Sequence, residues 1–225
     1  MFSTDPVTAL PDRRLVVVLL CGCAAVVAQE RKKPTSRPAS APTNLVSNGD
    51  FERPAPGGNL PEGWTTEHPD NVRLVDDPEG RGRVIEMTGD KKRMASYGVD
   101  LVSGDVPVQE GVPYRCTGYT RSTGPNMKVF VRGFATVTRR ARGEVKVFDD
   151  AVYTMRKDVA PSERWQPFTL DFQIRPAEVV SDEPYPIKYV RIKLWAYWPV
   201  GTCWFDDIRF EQVGPRSTQE PATNK

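Results

Sequence analysis

Tyr189-Val-Arg-Ile-Lys-Leu-Trp-Ala-Tyr197 alternates without a break: Val190, Ile192 and Leu194 fall on one side of an extended chain, and Arg191, Lys193, Trp195 and Tyr197 on the other. A strand turns successive side chains to opposite faces, so a period of two marks a strand with one face in a core. The same period runs through Tyr114-Arg-Cys-Thr-Gly-Tyr-Thr-Arg121 and Lys128-Val-Phe-Val-Arg-Gly-Phe134. Further short apolar segments lie at 45–52, 72–75, 83–87, 95–101, 145–155, 165–174 and 203–213. Pro54-Ala-Pro-Gly-Gly58, Ser122-Thr-Gly-Pro-Asn126 and Pro199-Val-Gly-Thr202 supply turns between them. No window keeps helical spacing, so residues 44–213 are predicted to form an all-β sandwich of two antiparallel sheets.

The flanks read differently. Arg13-Arg14 precedes an apolar run over 15–27, and Val26-Val27-Ala28 offers small residues for cleavage, which predicts a secretory signal over 1–28. The run is short for a bilayer span, so no transmembrane anchor is expected in the mature form. Leu20-Cys-Gly-Cys23 also resembles a lipoprotein box, leaving lipid attachment at Cys23 as the alternative to cleavage after Ala28. The protein is therefore expected to be secreted or periplasmic. Residues 29–43 read as a disordered Pro-rich linker and 214–225 as a disordered polar tail. The net charge of +2 sits in these flanks, chiefly Arg31, Lys32, Lys33 and Arg37, while 44–213 is slightly acidic. Global basicity is thus no argument for nucleic-acid binding. With His68 the one histidine, HExxH zinc chemistry is excluded. After cleavage Cys116 and Cys203 remain, and in an oxidising compartment they either bridge or stay separate as buried apolar residues.

Asn44-Leu-Val-Ser-Asn-Gly-Asp-Phe-Glu52 followed by Pro61-Glu-Gly-Trp64, then Gln109-Glu-Gly-Val-Pro-Tyr114, Trp165-Gln-Pro-Phe-Thr-Leu-Asp-Phe172 and Trp204-Phe-Asp-Asp-Ile208, resembles in order the landmarks of carbohydrate-binding modules of the family 4/9 type. The resemblance implies a jelly-roll β-sandwich of the galactose-binding type, a structural calcium ion in many members, and glycan binding without hydrolysis. It also implies that Trp64 and Trp165 belong to the core.

On the closing strand, if Ile208 and Phe210 face the core, the two-residue period carries Trp204 and Asp206 inward and Asp207 outward. A buried carboxylate needs a partner or a metal. Since the resemblance sets the N-terminal motif beside this strand, Asp206, Glu52 and Asp50 are the candidate Ca2+ ligands. The alternative is that Asp206 accepts backbone N–H groups or pairs with an arginine.

The same period turns Arg115, Tyr119 and Arg121, then Phe130, Arg132 and Phe134, then Arg191, Lys193, Trp195 and Tyr197 away from the core. Read as one face, these ten form a candidate ligand site. Flat rings suit the apolar faces of sugars, and cations suit uronate or sulfate groups, which predicts a preference for acidic polysaccharide. In the alternative, a loop over 139–150 or the N-terminal arm covers the rings. Asp76-Asp77, Asp149-Asp150 and Asp182-Glu183 fall in apparent turns rather than across a cleft, so no enzyme is predicted, and a glycoside hydrolase is the weakest reading. A cell-surface structural or adhesive sandwich that binds a protein or envelope partner is the alternative function. The oligomeric state has no signal in the sequence.

Overall fold

The computed structural model describes residues 43–141, 144–174 and 185–213. These belong to one compact unit, Arg37–Lys225; the other, Met1–Ser36, lies outside the described residues, as do the predicted signal, nearly all of the linker and the tail. In chain order the strands are β1 (Trp64–Thr65), β2 (Val72–Asp76), β3 (Arg83–Thr88), β4 (Val99–Ser103), β5 (Val106–Pro107), β6 (Pro113–Ser122), β7 (Asn126–Ala141), β8 (Glu144–Val159), β9 (Gln166–Gln173), β10 (Tyr189–Tyr197) and β11 (Thr202–Gln212). They form two antiparallel sheets. One runs β1-β4-β10-β7-β8, with β5 also against β10, and the other runs β2-β3-β11-β6-β9. The architecture is the jelly-roll β-sandwich expected from the alternation and the motifs. No helix among the described residues is long and apolar enough to cross a membrane.

Alternation supplies the core as the sequence requires. Val190, Ile192 and Leu194 of β10, Val129 and Val131 of β7, and Phe168, Leu170 and Phe172 of β9 are all buried between the sheets. Tyr114 stacks on Phe210 at 5.1 Å between ring centroids, and Trp64 meets Phe51 edge-on at 5.2 Å. Fully burying side chains of this size contributes about 1.5–3 kcal/mol each.

Five sequence expectations change. Residues 45–52 form a turn rather than a strand, because the motif bonds to neighbouring elements through side chains. Asn44 Nδ2 donates to the Ile208 carbonyl and its Oδ1 accepts from the Phe210 amide, while Asn48 Nδ2 donates to the Arg53 and Glu62 carbonyls. Residues 95–101 start inside a short helix, α1 (Lys91–Ser96), whose first turn is capped by Asp90 accepting from the Arg93 amide at 2.8 Å. The predicted loop over 139–150 continues as the paired ends of β7 and β8 past Phe134, where β10 stops. That ribbon leaves Val145, Val147 and Phe148 exposed.

The fourth change is on β11. Cys203 and Phe205 face inward, the register shifts between Asp206 and Arg209, and Ile208 and Phe210 face inward again. Asp207 takes the extra place at φ 50°. A bulge resets the phase of a strand. Counting by two from Ile208 therefore misplaces Trp204, which lies on the outer side and donates from Nε1 to Glu86 at 3.2 Å. Trp165 also stands outside the core, only half-buried on the outer face.

Cys116 and Cys203 are free and buried. Cys116 pairs with Phe210 and Cys203 with Ser122, so along β6 the two lie six residues, about 20 Å, apart. A disulfide needs Cα atoms within about 7 Å, so the two thiols stay separate in this fold. Burial pushes the Cys116 thiol up to about 12 and raises that of Cys203 as well.

The N-terminal turn approaches β11 so closely that a Cβ on Gly49 would lie 1.9 Å from the Ile208 carbonyl oxygen, the same stretch of backbone whose amide donates to the Gly49 carbonyl at 2.7 Å. Gly49→Ala therefore has to move backbone, and we expect a loss of at least about 2 kcal/mol in urea denaturation. An unchanged midpoint would show that the turn is not locked to β11.

Candidate functional site

Register across the longer sheet sets out its outward face in rows. Lys193 stands between Val102 on β4 and Phe130 on β7, with Arg156 of β8 beyond Phe130. In the next row Trp195 stands between Asp100 and Lys128, with Asp158 beyond. In the other direction Arg191 faces Arg132, and Tyr189 faces Phe134. The rings associate along and across strands. Phe134 stacks on Tyr189 at 5.2 Å, Trp195 on Tyr197 at 4.6 Å, and Phe130 lies tilted to Trp195 at 6.1 Å.

Cations thread between these rings. Arg191 lies 4.7 Å from the Phe134 ring centre and donates from Nε to Asp105 at 2.6 Å. Lys128 lies 4.6 Å from the Tyr197 ring and shares Asp158 with Arg156. Lys193 pairs with Asp100 at 2.5 Å, and Asp100 Oδ1 is buried without a hydrogen-bond partner. Arg132 packs 5.7 Å from the Phe134 ring and makes no ion pair among the described residues. A cleft of about 390 Å³ opens here, lined by Arg132, Phe134, Arg191 and Lys193, by Asp100 and Val102 of β4, and by the segment Thr65, Thr66 and Glu67 that follows Trp64. Its chemistry is a partly apolar floor with guanidinium and ammonium donors and hydroxyl groups at one side.

The ten residues predicted as one face divide between the two sides of the sandwich. Phe130, Arg132, Phe134, Arg191, Lys193, Trp195 and Tyr197 share the face just described, whereas β6 belongs to the other sheet and carries Arg115, Tyr119 and Arg121 to the opposite outer surface. There Arg115 is bidentate with Asp171 at 2.6 and 3.1 Å, and Arg121 lies against Asp77 and Glu79. Alternation says inward or outward but not which sheet, so the single-face reading is corrected. Lys128 and Tyr189 were missed although they share the parity of Phe130 and Arg191 in strands already recognised. Asp100 and Glu67 reach the cleft only through strand order and carried no local signal.

The expected calcium ligands do not fit an ion. Asp206 is fully buried, but its Oδ2 accepts from Arg81 Nε at 2.8 Å and its Oδ1 accepts from the Asp207 amide at 2.7 Å. Asp50 is exposed, and Glu52 Oε1 accepts from the Arg83 amide at 3.3 Å. Among the described residues no group of three His, Cys, Asp or Glu is placed to hold a metal. The arrangement matches the alternative in which Asp206 pairs with an arginine.

No family profile matches the sequence, and no curated protein matches it. Among solved structures the sandwich is similar to a protein of Bacteroides thetaiotaomicron described only provisionally as sugar-binding, with TM-score 0.52 and 11% identity over 76% of this chain and 100% of that one. It is similar, again at 0.52, to the enzymatically active domain of bacteriophage CBA120 tailspike protein 4, with 10% identity over 76% of this chain but only 21% of the tailspike chain. A xylan-binding domain from Paenibacillus barcinonensis gives 0.46 and 16% identity over 79% of this chain and 99% of that one. At such identities the likeness is one of fold.

Burial, with the Asp207 charge adding to it, pushes the Asp206 carboxyl up to about 6 from 3.8, against the downward pull of Arg81. The folded form thus holds a proton that the unfolded chain has released. The contribution is fully present below about pH 4 and is lost as pH rises through about 6. We expect wild type to lose on the order of 2 kcal/mol relative to Asp206→Asn between pH 4.5 and 7.5, read from urea midpoints. A constant difference between the two proteins across that range would contradict the burial of this carboxyl.

Proposed function

We propose that this chain is an exported, non-catalytic carbohydrate-binding module that takes polysaccharide along the outer face of the β4-β10-β7-β8 surface, with acidic glycans favoured. The observation that supports it is Arg132. It lies in the cleft beside the stacked Phe134 and Tyr189 rings with no carboxylate partner among the described residues, while the neighbouring cations Arg191 and Lys193 are paired. A sugar ring laid on the aromatic side chains leaves its hydroxyls or carboxylate toward the Arg132 fork. Because most cations of this face already have carboxylates, selectivity rests on a few groups rather than on a broad positive field. The sequence motifs point the same way, on a fold like that of a protein described only provisionally as sugar-binding.

The exposed Val145, Val147 and Phe148 of the β7–β8 ribbon favour a second reading, an adhesive module whose ribbon meets a protein partner. The two readings use different surfaces, so substitutions separate them.

Affinity measurements against polygalacturonan, a sulfated glycan, xylan and cellulose decide the matter. Trp195→Ala is expected to weaken every ligand, and Arg132→Ala to weaken the acidic ones selectively by about tenfold, or ~1.4 kcal/mol. Binding to acidic polymers should also fall as salt rises past about 0.1 M, where the Debye length is roughly 10 Å. Equal affinity for acidic and neutral polymers with no response to either substitution would overturn the site.

A further inference from the structure

The outer face of the β3-β11-β6-β9 surface carries an arrangement that sugar binding does not use. Arg81, in the hairpin between β2 and β3, reaches across to the β11 bulge. Its Nε donates to Asp206 at 2.8 Å and its Nη2 to Asp207 at 3.2 Å. Consecutive residues of a regular strand point to opposite faces. The register shift and the φ of 50° at Asp207 bring both carboxylates to one side, where a single planar fork spans them.

The guanidinium is also enclosed by rings. Its Cζ lies 4.3 Å from the centre of Tyr119 and 4.9 Å from that of Trp165. Arg121 continues the series, 5.1 Å from Trp165 and 4.3 Å from Trp204. It is held in turn by Asp77 at 3.4 Å and Glu79 at 2.5 Å, both from the hairpin that carries Arg81. The alternating order Tyr119, Arg81, Trp165, Arg121, Trp204 thus joins the hairpin to β6, to β11 and to the residue before β9.

We propose that Arg81 is the built-in structural cation of this sandwich: its guanidinium neutralises the buried Asp206 at the β11 bulge, where the resemblance to carbohydrate-binding modules implies a calcium ion, so the chain needs no metal there. The site suits a guanidinium better than calcium. Calcium takes six to eight oxygen ligands, whereas two ring faces flank this position and offer none. A flat, weakly hydrated guanidinium gains from both the rings and the carboxylates.

Thermal unfolding of the full chain tests this. EDTA and millimolar calcium should each leave the wild-type Tm within about 1 °C of its starting value. Arg81→Met should lower Tm on the order of 10 °C, because it strands a buried charge. Arg81→Lys should also lower it, since an ammonium keeps the charge but loses the fork and the stacking. Arg81→Met combined with Asp206→Asn should recover most of the loss by removing the fully buried carboxylate, and this double variant informs even if the single one does not fold. A drop in the wild-type Tm under EDTA would overturn the proposal, as would a double variant no more stable than Arg81→Met alone.

Discussion

A carboxylate with no exposed surface must be neutralised where it lies, and in this protein that carboxylate is Asp206. Its position comes from the bulge on β11, without which Asp206 and Asp207 would point to opposite faces. The bulge in turn decides where cations and rings interleave. Arg81, Tyr119, Trp165, Arg121 and Trp204 are drawn into one interleaved stack on the shorter sheet, and the N-terminal turn is bonded to Ile208 just past the bulge. Rings and cations there are occupied with one another.

On the longer sheet the same residue types stand half-buried beside a cleft. Arg132 has no ionic partner among the described residues, and a cleft runs beside it. The same vocabulary of aromatic and basic side chains therefore serves two ends. Acidic residues decide which: Asp77, Glu79, Asp206 and Asp207 between them pair with both Arg81 and Arg121 on one face, whereas on the other Asp100, Asp105 and Asp158 leave Arg132 without an ion pair among the described residues.

Much of this was legible in the sequence because strand alternation is a local property. The core residues of β7, β9 and β10, the sandwich class and the outward aspect of all ten proposed contact residues follow from a period of two. What did not follow is whatever depends on partners distant in the chain. Arg115, Tyr119 and Arg121 have the right parity but the wrong sheet, since strand order is fixed by pairings such as Arg121 with Trp204. Trp204 was misplaced because a bulge adds one residue without any local mark, beyond an Asp-Asp pair that reads as an ordinary strand end, and Trp165 because its place in the core follows from the family resemblance rather than from its own parity with β9. Arg81, between two glycines in an apparent turn, offered no hint that it would reach β11.

The proposed ligand face is that of β10 and β7 and not the braced face behind it. Side-chain NMR shift mapping during titration with a galacturonate oligosaccharide tests this most directly. The Arg132 guanidinium and the Trp195 indole are expected to shift together with Tyr189, while the Trp165 and Trp204 indoles stay fixed. Shifts confined to Trp165, Trp204 and Tyr119 would contradict it.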